Sequence, residues 1–127
     1  MPTTAAATMT TKEIAKKLKK HCERGDFETA QKELYAKNAI SIEPMASEAF
    51  EKETHGLDAI IKKGEKWHEM VLENHGLEVS EPIVAGNTFA LTMRMDVTMK
   101  NHKRMDTTEL CIYQVKDGKI ISEQFFM

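Results

Sequence analysis

The chain is poor in the residues that would tie it to most special chemistries. Of its 127 residues only two are cysteine, three proline and six glycine, and aromatics make up 6%. Cys22 and Cys111 stand far apart and form no CxxC pair. A single disulfide between them stays open, and a reduced, cytoplasmic protein is the preferred reading. No glycine-rich phosphate loop and no nucleophile elbow is present. His21, His55, His75 and His102 fall on separate segments, without the close spacing of a zinc site. No apolar run approaches the length of a membrane span. Neither sign of charge dominates, with 18 Lys and Arg against 20 Asp and Glu. No basic stripe carries interleaved aromatics, which argues against nucleic acid as a partner. Met1 to Thr8 lacks the basic start and apolar centre of a secretion signal. Residues 1–9, rich in Thr and Ala, read as a disordered leader, and residues 10–127 as one domain with one core.

What is present is a long alternating stretch, Phe89 to Met99. Its odd positions are apolar and its even positions polar or small. A side-chain period of two means a β-strand with one apolar face. Upstream, Thr10-Thr11-Lys12-Glu13 fits a capping box that opens a helix carrying Ile14, Ala15, Leu18 and Cys22 on one side. Gly25 ends it and Asp26 starts a second helix, Phe27 to about Tyr35. A short strand, Ala39 to Glu43, stops at Pro44, and Met45 to Thr54 reads as loop. A third helix is expected from about Gly56 to Glu73, closed by a turn at His75-Gly76. Leu57, Ile60, Ile61, Gly64, Trp67 and Val71 share one face of it. His68 lies nearly in line with Leu57, within that apolar stripe. Leu77 to Ala85 reads as a strand broken by Pro82 at an edge or bulge.

Two tight turns set the expected register of the last strands. Asn101-His102 and Asp117-Gly118 each read as two-residue hairpin loops. Through them Met93 faces Leu110, Leu91 faces Ile112, Ile112 faces Glu123 and Leu110 faces Phe125. The expected inner face is Phe89, Leu91, Met93, Met95, Leu110, Ile112, Ile121, Phe125 and Met127, with Thr108 and Gln114. Glu123 is the lone charge in its middle, while Arg104 and Asp106 share the face at a wet rim. The expected outer face carries Cys111, Tyr113 and Val115, an Arg94–Glu109 ion pair, and enough apolar surface to dimerise.

Two short helices, a strand ending in Glu43-Pro44, a third helix and a meander ending in Asp117-Gly118-Lys119-Ile120-Ile121 resemble the nuclear transport factor 2-like superfamily. Within it the chain is similar to SnoaL-like domains. Gly25-Asp26-Phe27, Tyr35-Ala36-Lys37-Asn38-Ala39 and Gly56-Leu57-Asp58-Ala59-Ile60 carry the likeness further. The resemblance implies an α+β fold, a cone-shaped barrel of three N-terminal helices packed on a strongly curved antiparallel sheet. It also implies an apolar cavity and a homodimer through the outer sheet face. Its members include ketosteroid isomerases, polyketide cyclases, dehydratases and proteins without chemistry, so the fold leaves the activity open.

The same resemblance puts Glu43 where ketosteroid isomerases carry a catalytic carboxylate, and Glu123 where SnoaL-like cyclases use an acid. It also puts their two oxyanion donors at Leu18 and Leu110, which cannot donate. A carboxyl in an apolar pocket keeps its proton to higher pH and can act as acid or base near neutrality. Glu123, His68 and Glu43 are therefore the catalytic candidates, with His68 a possible partner of Glu123. Trp67, Phe89, Leu91, Met93, Met95, Leu110, Ile112 and Phe125 are the candidate ligand-binding wall. The expected function is cofactor-free isomerisation, cyclisation or dehydration of a small apolar molecule. A non-catalytic ligand-binding or dimerisation module is the other reading.

Overall fold

A computed structural model of the chain describes residues 8–127. Residues 1–7 of the expected leader lie outside the described residues, whereas Met9 packs against the core. The order is α1 (Thr11–Glu23), α2 (Phe27–Leu34), β1 (Tyr35–Ile42), β2 (Glu53–His55), α3 (Leu57–Met70), β3 (Val71–Val79), β4 (Ile83–Ala85), β5 (Thr88–Met99), β6 (Arg104–Lys116) and β7 (Lys119–Phe126). One curved, unclosed sheet runs β2-β1-β7-β6-β5-β3, with β4 on β5. β1 and β7 pair in parallel and the other pairs are antiparallel. The helices cover the inner face. The expected α+β architecture of three helices on a curved, mostly antiparallel sheet is what forms.

The capping box is present at the start of α1: Thr10 accepts from the Glu13 N–H at 3.1 Å and Glu13 accepts from the Thr10 N–H at 2.9 Å. Ile14, Ala15, Leu18 and Cys22 are buried beneath it. The third helix is shorter than its periodicity suggests. It ends at Met70, and Val71–Val79 pairs with β5, with irregularities at Val71/Glu73 and Asn74/Gly76. The expected turn at His75-Gly76 is thus a bulged strand. Nothing caps a longer helix there, and pairing with β5 satisfies the same backbone groups. Pro82 does separate two strands, β3 and β4.

The first hairpin corrects the expected register. Its loop is Lys100-Asn101-His102, one residue longer than read: the Met99 N–H donates to the Lys103 carbonyl at 2.8 Å, and His102 adopts φ 69°. A three-residue loop closed by a left-handed residue is the next most common hairpin after the two-residue kind. One residue of slip turns every β6 side chain over. Glu109 faces Met93, Cys111 faces Leu91 and Tyr113 faces Phe89. Cys111, Tyr113 and Val115, expected outside, are core. Leu110 and Ile112, expected inside, face outward with Thr108 and Gln114, and Leu110 is 41% exposed. Arg104 and Asp106 also point outward. Arg94 binds Asp106 at 2.7 Å, not Glu109, and Arg104 binds Asp96 at 2.8 Å.

The second turn has two residues as expected, with Asp117 and Gly118 both at positive φ. A bulge follows it. Val115 pairs with Ile120 but Gln114 pairs with Ser122, leaving Ile121 extra. Ile120 thereby takes the core position expected for Ile121 and is fully buried. The bulge reverses the slip of the first hairpin. Glu123 and Phe125 return to the inner face, opposite Tyr113 and Cys111. Met127 ends exposed at the pocket mouth.

Candidate functional site

The site begins with the parallel pairing of β1 and β7. Ser41 sits beside Glu123 in that register, and an irregularity between Tyr35 and Ile40 lets Tyr35 reach the same carboxyl. The Ser41 hydroxyl donates to Glu123 Oε2 at 2.6 Å, and the Tyr35 hydroxyl donates to Oε1. Both oxygens of a side chain only 4% exposed are therefore bonded. Glu43, one residue past β1, continues its extended backbone through its N–H to the Lys52 carbonyl and so falls on the same side as Ser41. Lys63 arrives from α3, one turn after the buried Ile60 and one turn before Trp67. Its ammonium donates to Ser41 Oγ at 2.6 Å and to Glu43 Oε2 at 2.9 Å. Glu109 projects from β6 into the same space, and Tyr113 stacks on Phe89 with ring centroids 4.8 Å apart.

Tyr35, Glu43, Lys63, Glu109, Tyr113 and Glu123 line a pocket of about 280 Å³ between α1, α2, α3 and the sheet. Of the expected wall residues, Trp67, Met93, Met95 and Phe125 line it. Phe89 and Leu91 lie beneath it as core, and Leu110 and Ile112 are on the far side of the sheet. Glu43 and Glu123 both line it. His68 is on the wall too, but as an exposed residue at the mouth, its ring 6.3 Å from that of Phe27. The partners of Glu123 are Ser41 and Tyr35 instead of His68. Ile60 is the one buried residue of α3, so the helix leaves the core before it reaches position 68.

Burial dominates the electrostatics. It raises the Glu123 carboxyl above its ordinary value, while the bonds from Ser41 and Tyr35 and the charge of Lys63 pull the other way. Glu109 is pushed up to about 7, by burial first and then by the charges of Glu43 and Glu123, with Lys63 opposing. Burial likewise holds the Tyr35 and Tyr113 phenols well above their usual range. It lifts Cys22 to about 12 and raises Cys111 as well. Neither thiol is a nucleophile at neutral pH. Among the described residues no group of three or more His, Cys, Asp or Glu is arranged to hold a metal ion, and no helix is long and apolar enough to cross a membrane.

Sequence reading missed Tyr35, Ser41, Lys63, Glu109 and Tyr113. Lys63 had a signal, because it shares a face with Ile60 and Trp67. Ser41 had one in its parity with Glu43. Glu109 and Tyr113 depended on the hairpin register.

A family profile described as SnoaL-like domain matches residues 9–127. The chain belongs to the SnoaL-like domain family. No curated protein matches this SnoaL-like chain. Among solved structures it is similar to a protein of Mesorhizobium loti named as a candidate SnoaL-like polyketide cyclase, with carbohydrate phosphatase added in brackets. The two are 36% identical over 94% of this chain and 100% of that one, with a TM-score of 0.87. A candidate isomerase of Bacillus subtilis shares the fold at 20% identity, over 92% of this chain and 88% of that one, TM-score 0.68. A nuclear transport factor 2-like protein of Burkholderia pseudomallei does so at 13% identity, over 94% and 92%, TM-score 0.74.

The raised carboxyls make stability pH-dependent. The folded chain holds the Glu109 proton to about pH 7 against an ordinary 4.5. Stability present below about 4.5 is therefore lost as pH rises through about 7. Glu109→Gln is expected to remove that loss. Urea unfolding at pH 8 should find the variant more stable than the parent by about 2 kcal/mol, with the difference vanishing at pH 4.

Proposed function

We propose that this SnoaL-like chain binds a small, largely apolar molecule in its pocket and moves a proton on it without a cofactor, as an isomerase, cyclase or dehydratase. The observation that carries this reading is Glu109. It lies in a mostly apolar pocket and takes its proton near pH 7, where donating and accepting are equally accessible. Glu43 is engaged by Lys63, and among the described residues Glu109 has no such ion pair. Glu123 is the second carboxyl of the pair, held by Tyr35 and Ser41. Two carboxyls in different surroundings are the usual basis for dividing acid and base roles. His68 lies at the mouth, away from Glu123, and takes no part in the proton step of this reading. The relatives named as cyclase and isomerase fit the same chemistry. Phosphate-ester chemistry fits poorly, because Glu43, Glu109 and Glu123 outnumber Lys63 and would repel a phosphate.

The test is deuterium exchange from D2O into a panel of small apolar ketones, followed by NMR. The chain is expected to catalyse exchange at carbon beside the carbonyl, and Glu109→Gln to slow it at least about 100-fold. Ligand binding without exchange would leave the non-catalytic module as the function.

We further propose a cytoplasmic homodimer through the outer sheet face. Leu110 and Phe126 sit opposite each other there, 41% and 42% exposed, beside Ile112. Sedimentation velocity should show a dimer that Leu110→Arg converts to monomer; a monomeric parent chain would remove this reading.

A further inference from the structure

An ammonium has three donors and no acceptor, whereas a hydroxyl has a single hydrogen. Lys63 spends one donor on Ser41 Oγ and one on Glu43 Oε2. With its oxygen accepting from Lys63, Ser41 directs its hydrogen at its other neighbour, Glu123 Oε2, 2.6 Å away. Oε2 is then an acceptor. A proton carried by Glu123 then belongs on Oε1: in the acid form the Tyr35 oxygen accepts it, and in the carboxylate the Tyr35 hydroxyl donates instead. The series ammonium, hydroxyl, carboxyl runs in one direction only, and each bond polarises the next. Its members are shielded from water: Ser41 is fully buried, and the Lys63 side chain is 15% exposed.

The other titratable groups acting around Glu123 come from every element packed on it. They are Cys22 on α1, Tyr35 on β1, Glu43 just past its end, and Glu109, Cys111 and Tyr113 on β6. None is a cation, so Lys63 alone of these groups favours the ionised carboxylate by its charge. Glu43 opposes it, but also anchors the ammonium at 2.9 Å.

We propose that Lys63 is a positioning residue for Glu123: anchored by Glu43, it orients the Ser41 hydroxyl and thereby decides which oxygen of the buried carboxyl carries the proton. The role of this device in turnover rests on the acid/base reading of the pocket; the coupling itself does not. Lys63 acts through Ser41 and is not a catalytic residue.

The experiment is a carbon-13 NMR titration of the Glu123 carboxyl in the full chain and in Lys63→Met, Ser41→Ala and the double variant. Methionine retains most of the lysine stem and alanine removes one hydroxyl, and amide dispersion in the same samples reports folding. Lys63→Gln gives the same reading should the methionine variant fold poorly. Removing Lys63 is expected to raise the midpoint by at least about one unit. Ser41→Ala is expected to raise it too, and the double variant by clearly less than the sum, because both changes cut one chain of bonds. A midpoint within about 0.3 units of the parent after loss of Lys63, or strictly additive shifts, would overturn the proposal. The titration needs no ligand. Coupled midpoints in a protein that exchanges no substrate proton would sink the acid/base reading and leave the coupling standing; exchange with additive midpoints would do the reverse.

Discussion

A carboxyl group sunk almost completely into protein is the constraint on which this molecule depends. Taking a carboxylate out of water costs several kcal/mol unless partners replace the solvent. Glu123 has such partners from two directions. β1 supplies the Ser41 and Tyr35 hydroxyls, and α3 supplies the charge of Lys63 at one remove. Those partners require β1 to lie parallel to β7 in a single register, with its irregularity between Tyr35 and Ile40. They also require α3 to cross the sheet where Lys63 reaches Ser41. A well-packed apolar side chain would serve the core at least as well. The buried acid is therefore not explained by stability alone.

The pocket's character follows from the same arrangement. Its walls are mostly apolar, so each charge inside it is felt strongly by the others. Three carboxyls share one lysine, and Lys63 is already bound to Glu43. Glu109 is left to respond by holding its proton toward neutral pH. The thiols and phenols nearby are driven into their neutral forms by burial. Glu109 is therefore the group in this cluster for which proton exchange is accessible near neutrality.

Much of this was legible in the chain itself, but unevenly. The capping box at Thr10, the strand of alternating Met93, Met95 and Val97, and the Asp117-Gly118 turn each carry a local physical signature, and each forms. The pairing of β6 carried none. Leu110-Cys111-Ile112-Tyr113 is apolar on both faces, so burial pattern favours neither register. The decision falls to His102, whose left-handed backbone closes a loop one residue longer than Asn101-His102 suggests. The bulge at Ile121 was equally silent. Glu123 is nonetheless inward in both the expected and the observed pairing, because the longer loop and the bulge offset each other by the time the chain reaches it. Glu109 and Tyr113 lie between the loop and the bulge, so they face inward where the two-residue loop would turn them out. Ser41 was hidden by its neighbours Ile40 and Ile42, which are the less buried residues. His68 shows the converse limit: helical phase is a local property, and how long a helix stays on the core is not.

The pocket and its carboxyls depend on the register of β5, β6 and β7. Side-chain nuclear Overhauser contacts in a methyl- and glutamate-labelled sample measure it directly. Contacts from the Met93 methyl to Glu109, and from the Tyr113 ring to Glu123, are the predicted result, with Leu110 and Ile112 silent toward Leu91 and Met93. Contacts of Leu110 with Met93 and of Ile112 with Leu91 would contradict the account.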